Sequence, residues 1–103
     1  MADKQLRTEI KERLKNLGKV YFKKNKSYDA VWLKIKKNTP HLVLCVFENK
    51  KGIRICLPWS NKNIDMEKIT DVVVAFLEFK KNHSISKQID ILEKELKKRE
   101  LLK

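Results

Sequence analysis

The chain passes through three hydrophobic periods. Leu6, Ile10, Leu14 and Leu17 recur at spacings of four and three, the stripe of an amphipathic helix over about residues 3–16. Asp3 is placed to cap its first turn and Gly18 to end it. At Lys19 the period falls to two. KVYFKK predicts a short strand, NKS its turn, and YDAVWLKIK a second strand. Val31, Leu33 and Ile35 face one way from that strand, with Tyr28, Ala30, Trp32, Lys34 and Lys36 on the other side. Pro40 cannot join a central ladder, so KNTPH is a connection.

HLVLCVF and GIRICLPW predict two further strands around ENKKG. A three-residue loop of Lys50, Lys51 and a left-handed Gly52 would pair Asn49 with Ile53 and Glu48 with Arg54. That register sends Cys45, Phe47 and Ile55 to one face and Leu44, Val46 and Cys56 to the other. Both faces are largely apolar, which predicts a central hairpin covered on each side.

Beyond Pro58 the helical period returns. Asn63 is the candidate N-cap, and Met66, Ile69, Val72, Val73, Phe76 and Leu77 form the apolar stripe. Ser84 opens a third helix in which Ile85, Ile89, Leu92 and Leu96 step by four, three and four. The expected fold class is α+β: an N-terminal helix, a four-stranded antiparallel β-meander and two C-terminal helices. Residues 1–83 make a single domain. The helix of 84–103 either packs back on it or supplies the seam of a homodimer through Ile85, Ile89, Leu92 and Leu96.

Composition narrows the class. A chain of 103 residues, 42% hydrophobic and 37% charged, suits one folded domain with a highly charged surface. No apolar run approaches the ~20 residues of a membrane span. The first ten residues lack the apolar core of a secretory signal. The expected compartment is the cytoplasm, whether of the protein's own cell or of a host in which a virus acts, with no membrane partner. Cys45 and Cys56 lie inside apolar runs, far in sequence from His41 and His83, and read as buried free thiols. No metal constellation, phosphate loop or cofactor motif can be written, so neither metal nor cofactor is expected.

Charge changes the picture most. The net charge is +12. Nine basic groups face three acidic ones in residues 1–27, six face two in 28–59, and four face four in 60–83. A polyanion-binding face produces this asymmetry. Tyr28 and Trp32 share a strand face with Lys34 and Lys36, and Lys19, Tyr21 and Lys23 would continue it on the neighbouring strand. Rings interleaved with lysines let bases stack while the ammonium groups hold phosphates. In the competing reading Trp32 packs under a helix and the lysines keep a sheet edge soluble.

The expected function is therefore non-enzymatic binding of nucleic acid, DNA or RNA. Its contacts are Lys19, Tyr21, Lys23, Lys24, Lys26, Tyr28, Trp32, Lys34, Lys36 and Lys37. Lysine supplies 21 of the 25 basic residues, which favours point-charge contact with phosphate over bidentate base reading, hence low sequence specificity. The alternative is a protein-interaction or assembly module that uses the C-terminal helix.

One segment suggests an enzyme. Asp29 opens a strand and Glu48-Asn49-Lys50 closes the following one, which resembles the PD-(D/E)xK nucleases in outline. The resemblance implies Asp29 and Glu48 as Mg²⁺ ligands, Lys50 orienting the attacking water, and Glu9 or Glu12 as a further ligand. The hairpin register instead puts Lys50 inside the turn and gives Glu48 a structural partner in Arg54. The helix–sheet–helix order and the TPH before a strand are also similar to the double-stranded RNA-binding domain. The second helix, opening SNKNIDMEK, lacks the lysine cluster which that family carries there.

Overall fold

The computed structural model describes residues 4–102, so the Asp3 cap lies outside the described residues. Helix α1 (Lys4–Leu14) precedes strands β1 (Lys19–Lys24), β2 (Asp29–Lys34), β3 (His41–Asn49) and β4 (Gly52–Cys56). A 3-10 turn (Met66–Lys68), α2 (Ile69–Lys80) and α3 (Ile85–Lys98) follow. The strands lie in the order β1-β2-β3-β4, each antiparallel to the next, so the fold is an α+β meander with its helices at the two ends of the chain.

All three helices gather on one face of the sheet. Helix α1 lies on β1, α2 on both α1 and β3, and α3 on α2. The alternation of β2 explains why: Val31 and Leu33 are fully buried on this side, joined by Leu44 and Val46 of β3. Ile10 and Leu14 of α1 and Val72, Val73 and Phe76 of α2 close over them. An ion pair adds to the seam, with Arg7 Nη2 donating to Asp29 Oδ2 at 3.2 Å and Asp29 only 2% exposed.

Gly18 is needed for a different reason than the one expected. Helix α1 ends at Leu14, and glycine with a left-handed φ occurs only at Gly52 among the described residues. A Cβ on Gly18 would meet the Lys34 carbonyl oxygen at 2.4 Å, so glycine lets the α1–β1 connection pass against the end of β2. Asn63 does not cap α2. Its Oδ1 accepts from the Ile55 N–H at 3.1 Å, and the helix is entered through the 3-10 turn beginning at Met66.

The β3–β4 register is one residue tighter than expected. Asn49 pairs with Gly52, Glu48 with Ile53 and Phe47 with Arg54 around a two-residue loop of Lys50 and Lys51. The Asn49 side chain stabilises the shorter turn by accepting from the Lys51 N–H at 2.8 Å. A one-residue slip exchanges every side chain between faces. The expected Glu48–Arg54 cross-strand pair is therefore absent, and the Arg54 guanidinium lies 5.0 Å from the centre of the Phe47 ring.

A bulge in β3 makes a second correction. Trp32 pairs with Leu42 and Val31 with Leu44, leaving Val43 as the extra residue. Leu42 and Cys45 thereby share a face despite lying three residues apart. Nor is the hairpin central, because β4 is an edge strand. The chain beyond it folds back, with the Ile64 N–H donating to the Ile55 carbonyl at 2.8 Å and satisfying part of that edge.

Helix α3 returns to the domain. Ile85, Leu92 and Leu96 are buried in the common core and Ile89 packs against it. A homodimer seam on those four residues would have to withdraw them from the core. The helix ends in a Schellman turn, with Leu101 N–H on the Leu96 carbonyl and Glu100 N–H on that of Lys97. Glu100 takes the left-handed position that glycine usually fills, at φ 61°.

Candidate nucleic-acid interface

Among the described residues, no helix lies on the other face of the sheet. Pairing of β1 with β2 sets Lys19 opposite Lys34, Tyr21 opposite Trp32 and Lys23 opposite Ala30. The bulge then brings Leu42 beside Trp32, and Cys45 lies beside Ala30. Phe47 and Arg54 continue the row onto the hairpin. Tyr28, at the foot of β2, reaches Phe47 with ring centres 5.4 Å apart and planes tilted by 38°. An aromatic row thus crosses the sheet diagonally, with cations along it.

Two depressions mark this face. One, of about 400 Å³, lies among Tyr21, Lys23, Trp32, Thr39 and Pro40. The other, of about 360 Å³, is walled by Tyr28, Phe47, Pro58 and Trp59 and floored by Leu42 and Cys45. Trp32 and Leu42, paired across β2 and β3, each line one of them. The Lys19 ammonium stands 5.4 Å from the centre of the Tyr21 ring, a cation–π distance like that of Arg54 over Phe47.

Trp59 is the most exposed large apolar side chain of the face, at 62%. It follows Pro58 in a turn closed by the Ser60 N–H on the Leu57 carbonyl at 3.1 Å. Its φ of 65° is that of the third residue of a type II turn, where glycine is favoured. Ser60 Oγ donates to Glu93 Oε2 of α3 at 2.5 Å and accepts from the Lys62 N–H at 3.1 Å, fastening the turn to the helix layer.

Cys45 forms part of the floor, and Cys56 is fully buried beside it. Cys45 and Cys56 are free, buried and directly opposite each other across β3 and β4. Burial, reinforced by the neighbouring Cys56, pushes the Cys45 thiol up to about 11. Burial also raises Cys56, with Arg54 acting in the opposite sense. Both are neutral apolar groups at physiological pH. His41 lies at the far end of β3, held below its ordinary value by burial and by Lys80, whose Nζ is 3.2 Å from His41 Nδ1.

The ten residues expected to contact nucleic acid separate into groups. Lys19, Tyr21, Lys23, Trp32 and Lys34 share the open face, and Tyr28 joins it through Phe47. Lys24 does not belong there: it pairs with Asp29 on the helix side. Lys24 and Lys26 border a small recess of about 90 Å³ that also contains Asp29 and Glu48. Lys36 and Lys37 are exposed in the β2–β3 turn, where Lys36 has a φ of 54°.

The nuclease-like residues are brought together only in part. Asp29 and Glu48 line that recess, whereas Lys50 lies in the hairpin turn and does not line it. Arg7 holds Asp29, and Glu9 and Glu12 pair with Arg13 and Lys15 along α1 at 3.3 and 2.7 Å. Among the described residues no group of three or more His, Cys, Asp or Glu is placed to hold a metal ion, and no helix is long and apolar enough to cross a membrane.

Phe47, Arg54 and Trp59 were not expected as members of the interface. The Asn49 side chain and the Pro58-Trp59 dipeptide are the signals that point to them: one selects the tight turn, the other a turn that lifts an aromatic ring out of the strand. No protein-family model, curated protein or solved structure matches the chain.

Proposed function

We propose that this protein binds nucleic acid with low sequence specificity through the open face of its sheet, without catalysis. The observation that supports this reading is the aromatic row of Tyr21, Trp32, Tyr28 and Phe47 on the one sheet face that lacks a helix, bordered by Lys19, Lys23, Lys34 and Arg54. The rings offer stacking surfaces and the cations offer phosphate contacts. The net charge of +12 draws a polyanion towards the whole molecule, and the exposed Lys36 and Lys37 extend the positive field beyond the sheet. A cytoplasmic site of action belongs to the same proposal.

Titration of labelled single- and double-stranded DNA and RNA at two salt concentrations tests it. Micromolar or tighter binding that weakens steeply with salt is the expected result. Absence of binding to all four ligands at low salt overturns it. A second reading, metal-dependent phosphodiester cleavage, draws support from Asp29 and Glu48 lining one recess beside Lys24. Mg²⁺-dependent nicking of plasmid that disappears in Glu48→Ala would favour cleavage over simple binding.

A further inference from the structure

Resting on the nucleic-acid reading, we infer that the ligand is single-stranded, held as unpaired bases on the aromatic row, with Trp59 as a fixed clamp over the second depression. In a duplex each base face is covered by its neighbours, so rings on a sheet can stack only on bases that have left the helix. Here the rings wall two separate depressions on either side of the Trp32–Leu42 pair. That layout suits successive splayed bases better than a smooth phosphate ridge. Lys19 and Lys23 lie four residues apart along β1, roughly 13 Å at about 3.3 Å per residue. They can follow a backbone running beside the row.

Trp59 sharpens the inference. A bulky residue with φ near 65° is strained, and such strain persists only where surrounding structure imposes it. Burial does not offset it, because the side chain remains 62% exposed. Pro58 before it and the Ser60–Glu93 hydrogen bond behind it hold the turn, so the ring is presented on a rigid support. It lines the depression together with Tyr28 and Phe47, so a flat heterocycle seated there meets aromatic side chains from both the sheet and the Pro58 turn.

The test compares oligothymidine and oligouridine of about twelve nucleotides with a hairpin duplex of equal phosphate number, by fluorescence anisotropy on the full chain. Single strands are expected to bind at least about tenfold more tightly than the duplex. Trp59→Gly should weaken single-strand binding about tenfold, the scale of one lost stacking contact. It should also raise the melting temperature, because glycine relieves the turn. Trp59→Phe should stay within about threefold of wild type.

Equal affinity for duplex and single strand, or undiminished single-strand binding by Trp59→Gly, overturns the clamp while leaving phosphate-directed binding standing. Failure of the wild-type chain to bind any of the probes at low salt overturns the nucleic-acid reading itself.

Discussion

The two faces of this sheet share one backbone and meet opposite surroundings. On the helix side Val31, Leu33 and Leu44 are fully buried beneath Ile10, Val73 and Phe76. On the open side Tyr21 and Trp59 are 39% and 62% exposed, and lysines stand beside the rings. Branched aliphatic side chains fill space and have no polar atom to satisfy, which suits a face that must exclude water. Aromatic rings lose little conformational entropy when ordered and can bind through either ring face, which suits a surface meeting a partner. The helix side holds most of the buried core, and the open side is where the proposed recognition is placed.

Substitutions can break this division if it is wrong. The largest effect is expected at Phe76→Ala, which empties the centre of the helix layer and should cost about 3–5 kcal/mol in urea unfolding. Comparable destabilisation by Trp59→Ala would erase the distinction between the faces.

Next is Arg7→Ala, which leaves the buried Asp29 carboxylate without its guanidinium. Because Arg7 is itself 35% exposed, the loss should fall below that of a fully buried pair, at about 1–3 kcal/mol. An unchanged unfolding midpoint would show that the pair does not brace α1 against the sheet.

On the open face the order of effects reverses. Trp32→Ala and Tyr21→Ala should each weaken single-strand binding by about 1–3 kcal/mol, measured by anisotropy. Their stability cost should remain below that of Phe76→Ala. Replacing Lys19, Lys23 and Lys34 together by Ala should flatten the dependence of log affinity on log salt by up to about 0.7 per lost contact. The same triple change at Lys87, Lys94 and Lys97 of α3 should leave that slope close to wild type.

The smallest effect concerns His41, at the end of β3 on the helix side. Its folded-state pKa lies below the ordinary 6.5, so the fold favours the neutral ring. The associated stability is present above pH 6.5 and is lost as pH falls through the lower folded value. Nuclear magnetic resonance titration should place its midpoint below 6.5 and show a rise in Lys80→Met. A midpoint at or above 6.5 would contradict both the burial and the lysine contact.

The sequence by itself determined the order of elements, the inward set of β2 and the stripes of α2 and α3, because each follows from a local period. The alternation of Val31 and Leu33 with Trp32 marked Val31 and Leu33 as an inward set and left open whether a helix also covers Trp32. Ile69, Val72, Val73 and Phe76 admit one buried side. From the positions of Lys19, Tyr21, Lys23, Trp32 and Lys34 it also anticipated that they share a face. Only the tertiary structure decided the rest of that face. In β3 and β4 apolar residues occupy both sides, so the period no longer selects a register. The Asn49–Lys51 hydrogen bond and the extra residue at Val43 selected it instead. Tertiary packing also drew Ile85, Leu92 and Leu96 into the core and fixed Trp59 above the open face. The burial of α3 depends on which surfaces meet after folding, and the Ser60–Glu93 contact that fastens the Trp59 turn joins residues 33 apart in the sequence, which no local pattern encodes.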